Sequence, residues 1–250
     1  MIVILSPSKR MRSKPLDEMS LPYFSMEAQG IMDNLKSRSK QKLKETLNVS
    51  DKLFMETIEM MEEWTVERTS RSGAAVFSYS GDVYAGLESA LWNKEDMDYA
   101  NNHLFILSAV YGILRCKDYI SPYRLEMASK FDIDGKKSLY AFWKERVSQW
   151  LADLSDQNHE RSLVNLASLE YSKVVDRRIV HSPWIDVFFK ELSKGKLKVV
   201  AYHSKIARGK MAAWIIKNRI ESADDLINFN EDGYVIDINS SSKDELVFIR

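Results

Sequence analysis

The chain has 250 residues, of which 45% are hydrophobic and 29% are charged, a composition typical of a globular protein with an ample core. Its 36 basic residues balance 36 acidic ones, so overall charge gives no reason to expect a polyanionic partner. The single cysteine, Cys116, excludes internal disulfides and predicts a reducing, cytoplasmic compartment. The apolar run before Ser6 is too short for a signal peptide or a membrane span, and we expect no membrane partner.

The first predicted element is a buried strand at Ile2–Leu5. Small polar residues follow it at Ser6-Pro7-Ser8, and bases follow at Lys9 and Arg10. Such a segment can bind an anion, because free backbone N–H groups and cations converge at the end of the strand. The segment lacks the glycines of a phosphate-binding loop, so it does not identify the ligand by itself.

Residues 31–66 are predicted to form two helices joined by a tight turn at Asn48, with Ser50 as a favourable N-cap. This is the pattern of a helix-hairpin-helix element, in which the hairpin binds a DNA phosphate. Lys44 and Lys52 flank the turn. The usual hairpin glycine is absent, although Asn48 can adopt the left-handed conformation. An ordinary pair of helices packed on a core fits the same residues.

The next predicted elements alternate between strands and helices. Ala75–Tyr79 is predicted as a strand, and Gly81–Leu87 turns into a helix that Asp82 could cap. A helix at Lys94–His103 then leads into an apolar run at Leu104–Leu107, typical of a strand buried on both faces. This order indicates an α/β sheet with crossover connections.

Reactive side chains follow the buried strand Leu104–Leu107. Gly112 predicts a turn, and the residues beyond it are Arg115, Lys117, Asp118, Tyr123, Arg124 and Glu126. Charged groups on a loop directly after a buried strand are typical of binding sites in α/β proteins. An internal ion-pair network that holds the loop to the sheet would use the same residue types, so both interpretations stay open.

The C-terminal half continues the pattern. Its predicted elements are an amphipathic helix over Leu139–Leu154, strands at Leu163–Ala167 and Leu197–Tyr202, a helix at Lys205–Arg219, and closing strands at Gly233–Ile238 and Glu245–Ile249. We find no repeat and no linker, so residues 1–250 are predicted to form one α/β domain with a mixed central sheet flanked by helices.

The predicted helix Lys205–Arg219 carries two features that point to a site. Arg208 and Lys210 would lie in its first turns, where the helix dipole favours an anion. Gly209 costs about 1 kcal/mol relative to alanine in a helix interior, so we expect another backbone to approach there.

Blocks of sequence along the whole chain resemble the YaaA family of bacterial peroxide-stress proteins. The matching segments are Ser6-Pro7-Ser8-Lys9, Gly81-Asp82-Val83-Tyr84 with Gly86-Leu87, Leu107-Ser108 with Tyr111-Gly112, Pro122-Tyr123-Arg124-Leu125-Glu126-Met127, Leu139-Tyr140 with Phe142-Trp143, Asn165-Leu166-Ala167-Ser168 with Glu170-Tyr171, Lys205 with Ala207-Arg208-Gly209, and Glu245-Leu246-Val247-Phe248. The sequence departs from the family pattern at Ser8, where alanine is usual, and at Cys116, where proline is usual.

The resemblance implies a single α/β domain, a helix-hairpin-helix element and a basic cleft that binds double-stranded DNA. It also implies survival of hydrogen peroxide through lowered free iron and less oxidative DNA damage. Binding would neutralise phosphates without reading bases, because we find no recognition helix. The candidate DNA-binding residues are Lys9, Arg10, Lys44, Ser50, Lys52, Arg124, Lys173, Lys205, Arg208 and Lys210.

An enzyme acting on a nucleotide or a damaged base is the alternative. Glu126, Asp118 and Tyr123 are its candidate catalytic residues, since a carboxylate beside arginine and tyrosine could serve as acid or base in cleaving an N-glycosidic bond. This alternative predicts a nucleotide-like small molecule as partner. Glu126 beside Arg124 could equally be a salt bridge that holds the cleft open.

Direct iron binding is not predicted. The four histidines, His103, His159, His181 and His203, are scattered without metal-ligand spacing, and the only cysteine is isolated. We therefore expect no metal site and no cofactor, and we interpret a lowered iron level as an indirect effect.

Overall fold

The computed structural model describes residues 1–156, 161–193 and 195–250, so that His159 lies outside the described residues. The strands are β1 Ile2–Leu5, β2 Arg10–Met11, β3 Gly73–Ala74, β4 Tyr79–Ser80, β5 Leu104–Ser108, β6 Gly112–Arg115, β7 Tyr119–Ile120, β8 Leu163–Asn165, β9 Trp184–Ser193, β10 Lys196–Lys198, β11 Val235–Ile236 and β12 Glu245–Ile249. The α-helices are α1 Ser25–Lys36, α2 Lys40–Leu47, α3 Asp51–Glu62, α4 Ala75–Ser78, α5 Asp82–Leu87, α6 Lys94–His103, α7 Leu139–Asp156, α8 Leu169–Ser172, α9 Arg177–Val180 and α10 Ala201–Asn218. Short 3-10 helices lie at Ser89–Leu91, Ala223–Asn228, Glu231–Gly233 and Ile238–Ser240.

An eight-stranded mixed sheet forms the centre of the molecule, which confirms the predicted α/β fold class. Its strand order is β11-β12-β9-β8-β1-β5-β6, with β10 paired to β9. The five strands from β12 to β5 are parallel, while β6, β10 and β11 are antiparallel to their neighbours. All residues of β1 and β5 are buried, as their uninterrupted apolar sequences predict for strands covered on both faces.

Strands β1 and β8 end side by side at the same edge of the sheet. They are parallel neighbours with Ile4 opposite Asn165, so the loops that begin at Ser6 and Leu166 leave from one edge. The predicted strands at Leu163–Ala167 and Glu245–Ile249 and the predicted helix at Lys94–His103 are confirmed. Strand β9, which joins β8 to β12, was not predicted.

The chain reverses immediately after β5, so the prediction for the charged residues beyond it needs correction. Gly112 has the left-handed φ of +69°, and a side chain there would collide with the Trp143 ring. Strand β6 then runs antiparallel to β5 and brings Arg115 opposite Phe105, near the amino end of β5. Arg115 and Asp118 therefore lie at the edge of the sheet opposite to the loops after β1 and β8.

Two predicted strands are wrong. Residues 75–78 form the short helix α4, whose Ala75 N–H donates to the carbonyl of Asp118 at 2.8 Å instead of joining the sheet. An apolar run buried on all sides does not distinguish a helix from a strand. The predicted strand Leu197–Tyr202 is also wrong beyond Lys198, because β10 ends there as an exposed hairpin strand beside β9 and α10 begins at Ala201.

Helix α10 begins four residues before its predicted start at Lys205. Arg208 and Lys210 consequently lie beyond its first two turns. The prediction that the helix dipole favours an anion beside them is therefore wrong. The expected close approach at Gly209 is confirmed, because a Cβ atom there would overlap the carbonyl oxygen of Val83 in α5. Gly86 of α5 has the same relation to the carbonyl of Ile206, so the two helices contact through their backbones.

Helices α2 and α3 are joined by a tight turn in which Asn48 adopts the expected left-handed conformation. Ser50 occupies the N-cap position of α3, but its hydroxyl accepts no capping hydrogen bond. Lys44 forms an ion pair with Asp51 across the turn. The pair of helices alone does not confirm a DNA-binding helix-hairpin-helix. No helix within the described ranges is long and apolar enough to cross a membrane.

Candidate functional site

A pocket of about 400 Å³ lies at the edge of the sheet where β1 and β8 end. Four segments distant in sequence form it together with two side chains of α10. We call it the cleft, and its lining comes from Ser6-Pro7-Ser8-Lys9-Arg10, Gly81-Asp82-Val83-Tyr84, Tyr123-Arg124-Leu125-Glu126, the residues Leu166, Ser168, Glu170 and Tyr171, and Lys205 with Arg208.

Hydrogen bonds between loops hold the floor of the cleft together. The Ser168 N–H donates to the Ser6 hydroxyl at 2.8 Å, and the two hydroxyl groups are 3.1 Å apart. The Tyr84 hydroxyl donates to the Ser6 carbonyl oxygen at 3.0 Å. The polar ends of β1 and β8 are therefore tied to each other and to α5.

The segment from Tyr123 to Glu126 forms one wall and is joined to the loop after β1. Lys9 Nζ lies 2.6 Å from Glu126 Oε1, and an Arg124 Nη1–H donates to the Lys9 carbonyl oxygen at 3.4 Å. The Lys9 side chain is 62% exposed, so this ion pair contributes at most about 1 kcal/mol to stability. The predicted salt bridge of Glu126 thus exists, although its partner is Lys9 and not Arg124.

Two arginines of the cleft carry unsatisfied hydrogen-bonding groups. The Nε–H groups of Arg124 and Arg208 are both buried without a partner among the described residues. The Arg208 side chain forms no hydrogen bond or ion pair with the described part of the chain, and burial lowers its pKa. An unpaired buried donor costs about 1–3 kcal/mol, and a charged one costs more, so an anionic ligand would satisfy groups that the fold leaves open.

Buried tyrosines line the inner side of the cleft. The Tyr123 hydroxyl lies 2.7 Å from Ser108 Oγ and 2.8 Å from the Tyr79 hydroxyl. Burial raises the pKa of Tyr123 to about 12 and the pKa of Tyr84 well above its usual range. Both phenols are therefore neutral at physiological pH, so Tyr123 can donate a hydrogen bond but cannot act as a base.

Three carboxylates share the cleft with the cations. Glu126 pairs with Lys9, Asp82 lies 3.7 Å from Lys205, and Glu170 accepts a 3.3 Å hydrogen bond from the Ala128 N–H. Asp82 is the first residue of α5 and makes no capping bond, so its predicted role as cap is wrong. Lysines paired with carboxylates at the rim differ from Arg208, whose side chain has no partner at the floor among the residues that the structure describes.

The structure brings together five of the predicted DNA-binding residues, namely Lys9, Arg10, Arg124, Lys205 and Arg208. Lys173 is exposed and does not line the cleft. Lys210 points to Asp232, with Nζ 2.5 Å from the carboxylate. The remaining predicted residues, Lys44, Ser50 and Lys52, lie on the α2–α3 hairpin outside the cleft.

Asp118, one of the three candidate catalytic residues, is buried away from the cleft. Arg115 donates to its carboxylate from the backbone N–H at 2.8 Å and from Nε at 2.9 Å, and Nη2 lies 2.7 Å away. Burial nevertheless raises the pKa of Asp118 to about 6. Glu126 and Tyr123 do line the cleft. Sequence reasoning did not assign Tyr84, Asp82, Glu170 or Tyr171 to the site, although all four fall in the segments that carried the family resemblance.

Metal-ligating side chains do not cluster in the part of the chain that the structure describes. No group of three or more His, Cys, Asp and Glu residues is placed to hold an ion there. His203 is used otherwise, with Nδ1 2.7 Å from the Glu191 carboxylate, and Cys116 is buried in the core.

Fold and cleft together define a class: an α/β protein with a pocket rich in basic side chains where neighbouring parallel strands end. The model of the peroxide stress protein YaaA family matches residues 1–240. A UPF0246 protein of Francisella tularensis subsp. novicida is 34% identical over 255 residues and covers both chains completely, as does a UPF0246 protein of Francisella philomiragia with the same identity. The chain belongs to the YaaA family of peroxide-stress proteins, and this membership supports a role in peroxide stress.

Proposed function

We propose that this protein acts in peroxide stress by binding double-stranded DNA, without sequence specificity, through the cleft. The observation that carries the proposal is the collection of Lys9, Arg10, Arg124, Lys205 and Arg208 around one concavity in a chain of zero net charge. Cations gathered in this way neutralise phosphates, and phosphate contacts supply affinity but no sequence information.

Salt dependence tests the proposal. If six phosphates were contacted, affinity for a duplex should fall by roughly a thousandfold between 50 and 200 mM salt. Binding that does not change with salt would refute it. Fluorescence anisotropy with two duplexes of unrelated sequence measures both the slope and the expected lack of sequence preference.

A charge-reversal pair locates the interface. Lys205→Glu with Arg208→Glu should weaken binding to all duplexes alike and reduce the salt slope by about two contacts. The matched control is Lys217→Glu with Arg178→Glu, which alters net charge equally at two positions outside the cleft. Equal losses from both pairs would mean that overall charge, and not the cleft, governs binding. Circular dichroism shows whether each variant is folded.

The α2–α3 hairpin is proposed as a second, smaller contact. Asn48, Val49 and Ser50 form its turn, Lys52 is exposed, and Lys44 is partly neutralised by Asp51. A phosphate at the turn would meet backbone N–H groups and one free lysine. Protection from iron-dependent damage would follow from occupancy of the DNA, and lowered iron would be an indirect consequence.

Catalysis on a nucleotide or damaged base is a second candidate, and the shape of the cleft favours it. A volume of about 400 Å³ falls within the range of small-molecule pockets, which is about 300–1,000 Å³. Glu126 and Glu170 both line it and could act as acid or base beside an N-glycosidic bond.

Glu126→Gln separates the two candidates. If the cleft is catalytic, the variant should fold and bind DNA normally yet fail to protect cells from peroxide. Direct release of free base from oxidised DNA or from nucleotides, followed by chromatography, is the parallel measurement. A variant that keeps full protection would leave DNA binding as the sufficient account, with Glu126 serving to position Lys9.

A further inference from the structure

We infer that the floor of the cleft is a subsite for a terminal phosphate, that is, for the phosphate monoester of a nucleotide. The inference deepens the proposed function, because it takes the cleft as a site for nucleic acid or its building blocks. Within the cleft, the lysines Lys9 and Lys205 have carboxylate partners, whereas the Arg208 side chain has none in the described part of the chain.

Arg208 is suited to phosphate in position and in chemistry. Its Nε–H is buried and unpaired, and its two Nη nitrogens likewise bond to no described residue, so they remain the part of the side chain that a ligand can reach. A guanidinium presents its donors in a planar fork that matches two oxygens of one phosphate. Arg124 adds a second incompletely used guanidinium to the same pocket.

Backbone contact holds Arg208 at this place. The residue next to it, Gly209, lies against the Val83 carbonyl with no room for a side chain, so α10 packs against α5 by direct backbone contact beside Arg208. The Ser6 hydroxyl donates to Ser168 Oγ at the floor, which leaves the Ser168 hydroxyl proton for a phosphate oxygen.

The size of the cleft selects a terminal phosphate over an internal one. A pocket of about 400 Å³ takes a small molecule, whereas a duplex fills a much larger volume and would lie across the opening, with its phosphates near the cations that line the cleft. An internal phosphodiester continues into sugars on both sides, so a pocket of this size would have to hold both flanking nucleosides as well as the phosphate. A monoester has one free end and carries a charge of about −1.5 to −2 at neutral pH, which two guanidinium groups can balance.

Two sources supply this chemistry: a free nucleoside 5′-monophosphate, or the 5′-phosphate at a DNA end. Calorimetry compares adenosine 5′-monophosphate with adenosine, and anisotropy compares one duplex with and without a 5′-phosphate. We expect at least one monoester to bind about tenfold or more tightly than its dephosphorylated form. Preference for the mononucleotide alone assigns the site to a free nucleotide, and preference for the phosphorylated duplex assigns it to DNA ends.

Substitutions test whether Arg208 is responsible for the preference for phosphorylated ligands. Arg208→Gln should abolish the discrimination between phosphorylated and unphosphorylated ligands, Arg208→Lys should keep part of it, and Lys217→Gln, at the far end of the same helix, should keep all of it. No discrimination by the folded wild-type protein, or discrimination that survives Arg208→Gln, would overturn the inference. Loss of duplex binding with retained preference for the monophosphate would instead refute only the proposed DNA binding.

Discussion

The segment Leu104–Met127 places charged side chains at both edges of the sheet, and the pairing of charged groups differs between the two edges. At the amino edge Asp118 is buried and accepts three contacts from Arg115, while Arg115 also donates to the Leu21 carbonyl at 2.9 Å. At the other edge Arg124 contributes to a cleft in which the Arg208 side chain has no partner within residues 1–156, 161–193 and 195–250. We conclude that the fully hydrogen-bonded pair of Arg115 and Asp118 is structural and that the Arg208 guanidinium in the cleft is available to a ligand.

Removing Asp118 should produce the largest effect on stability. Asp118→Ala leaves the Arg115 N–H and guanidinium without their acceptor, and breaking a buried pair costs about 3–5 kcal/mol. Because the Arg115 side chain is 35% exposed, we expect about 2–4 kcal/mol here. Urea unfolding measures the loss. Lys44→Gln, which breaks an exposed pair with Asp51, is the control and should cost less than about 1 kcal/mol.

If the comparison between the edges is right, the folded Asp118→Ala protein should bind duplex DNA as the wild type does. A specific loss of binding, at a temperature where the variant is folded, would place Asp118 in function and contradict its structural assignment.

Gly209→Ala tests whether the backbone contact between α10 and α5 positions the cationic side chains of the cleft. The new methyl group would overlap the Val83 carbonyl, so α10 must move relative to α5, and we expect a loss of about 1–3 kcal/mol. DNA affinity should fall as well, because Lys205 and Arg208 move with the helix. The matched control is Gly30→Ala in α1, where nothing lies within 4 Å of the added methyl, and it should stabilise by about 0.5–1 kcal/mol. Stabilisation by both substitutions would contradict the close packing of α5 and α10.

His103 tests whether the charged groups at the amino edge of the sheet interact with one another inside the protein. Arg161 Nη2 lies 2.6 Å from its Nδ1, and burial, reinforced by the Arg161 charge, lowers the pKa of His103 to about 4. The unfolded chain, with a histidine pKa near 6.5, binds the proton more readily. The contribution of the neutral His103 to stability is therefore fully present above about pH 6.5 and is lost as the pH falls towards 4.

After a discount for partial exposure, we expect His103 to account for about 1–2 kcal/mol of this acid destabilisation. Urea unfolding of the wild type and of His103→Gln at pH 7.5 and 4.5 measures it. The difference between the two proteins isolates His103, since the raised pKa of Asp118 acts in both and favours the folded state on acidification. Parallel pH profiles would show that folding does not lower the pKa of His103.

The parts of the fold that were predictable are those in which local pattern and tertiary environment agree. Apolar runs indicated β1, β5 and β8, and helical spacing indicated α7. The reversal at Gly112 could be suspected, but the pairing of β6 with β5 is a tertiary property, and it decides that Arg115 and Asp118 lie opposite the cleft. Likewise, Ala75–Ser78 is apolar and buried in either conformation, so only its hydrogen-bond partners identify it as helix.

The candidate site was predictable as a set of segments but not as a set of partners. Strand-end position and family resemblance both selected Lys9, Arg124 and Arg208, which do converge. Pairing with carboxylates, which separates Lys210 and Lys205 from Arg208, depends on side-chain distances that sequence spacing does not contain.

The α2–α3 hairpin gives the prediction with the smallest expected effect. It distinguishes DNA contact at the hairpin from DNA contact at the cleft. The hairpin resembles the rim of the cleft, since Lys44 is paired with Asp51 and Lys52 is exposed. Lys52→Gln can remove one phosphate contact, so the salt slope of duplex binding should fall by about one, while the change in stability should be within ~0.5 kcal/mol. An unchanged slope would confine DNA contact to the cleft. A fall as large as that of the Lys205→Glu and Arg208→Glu pair would instead make the hairpin the main contact and free the cleft for a small ligand.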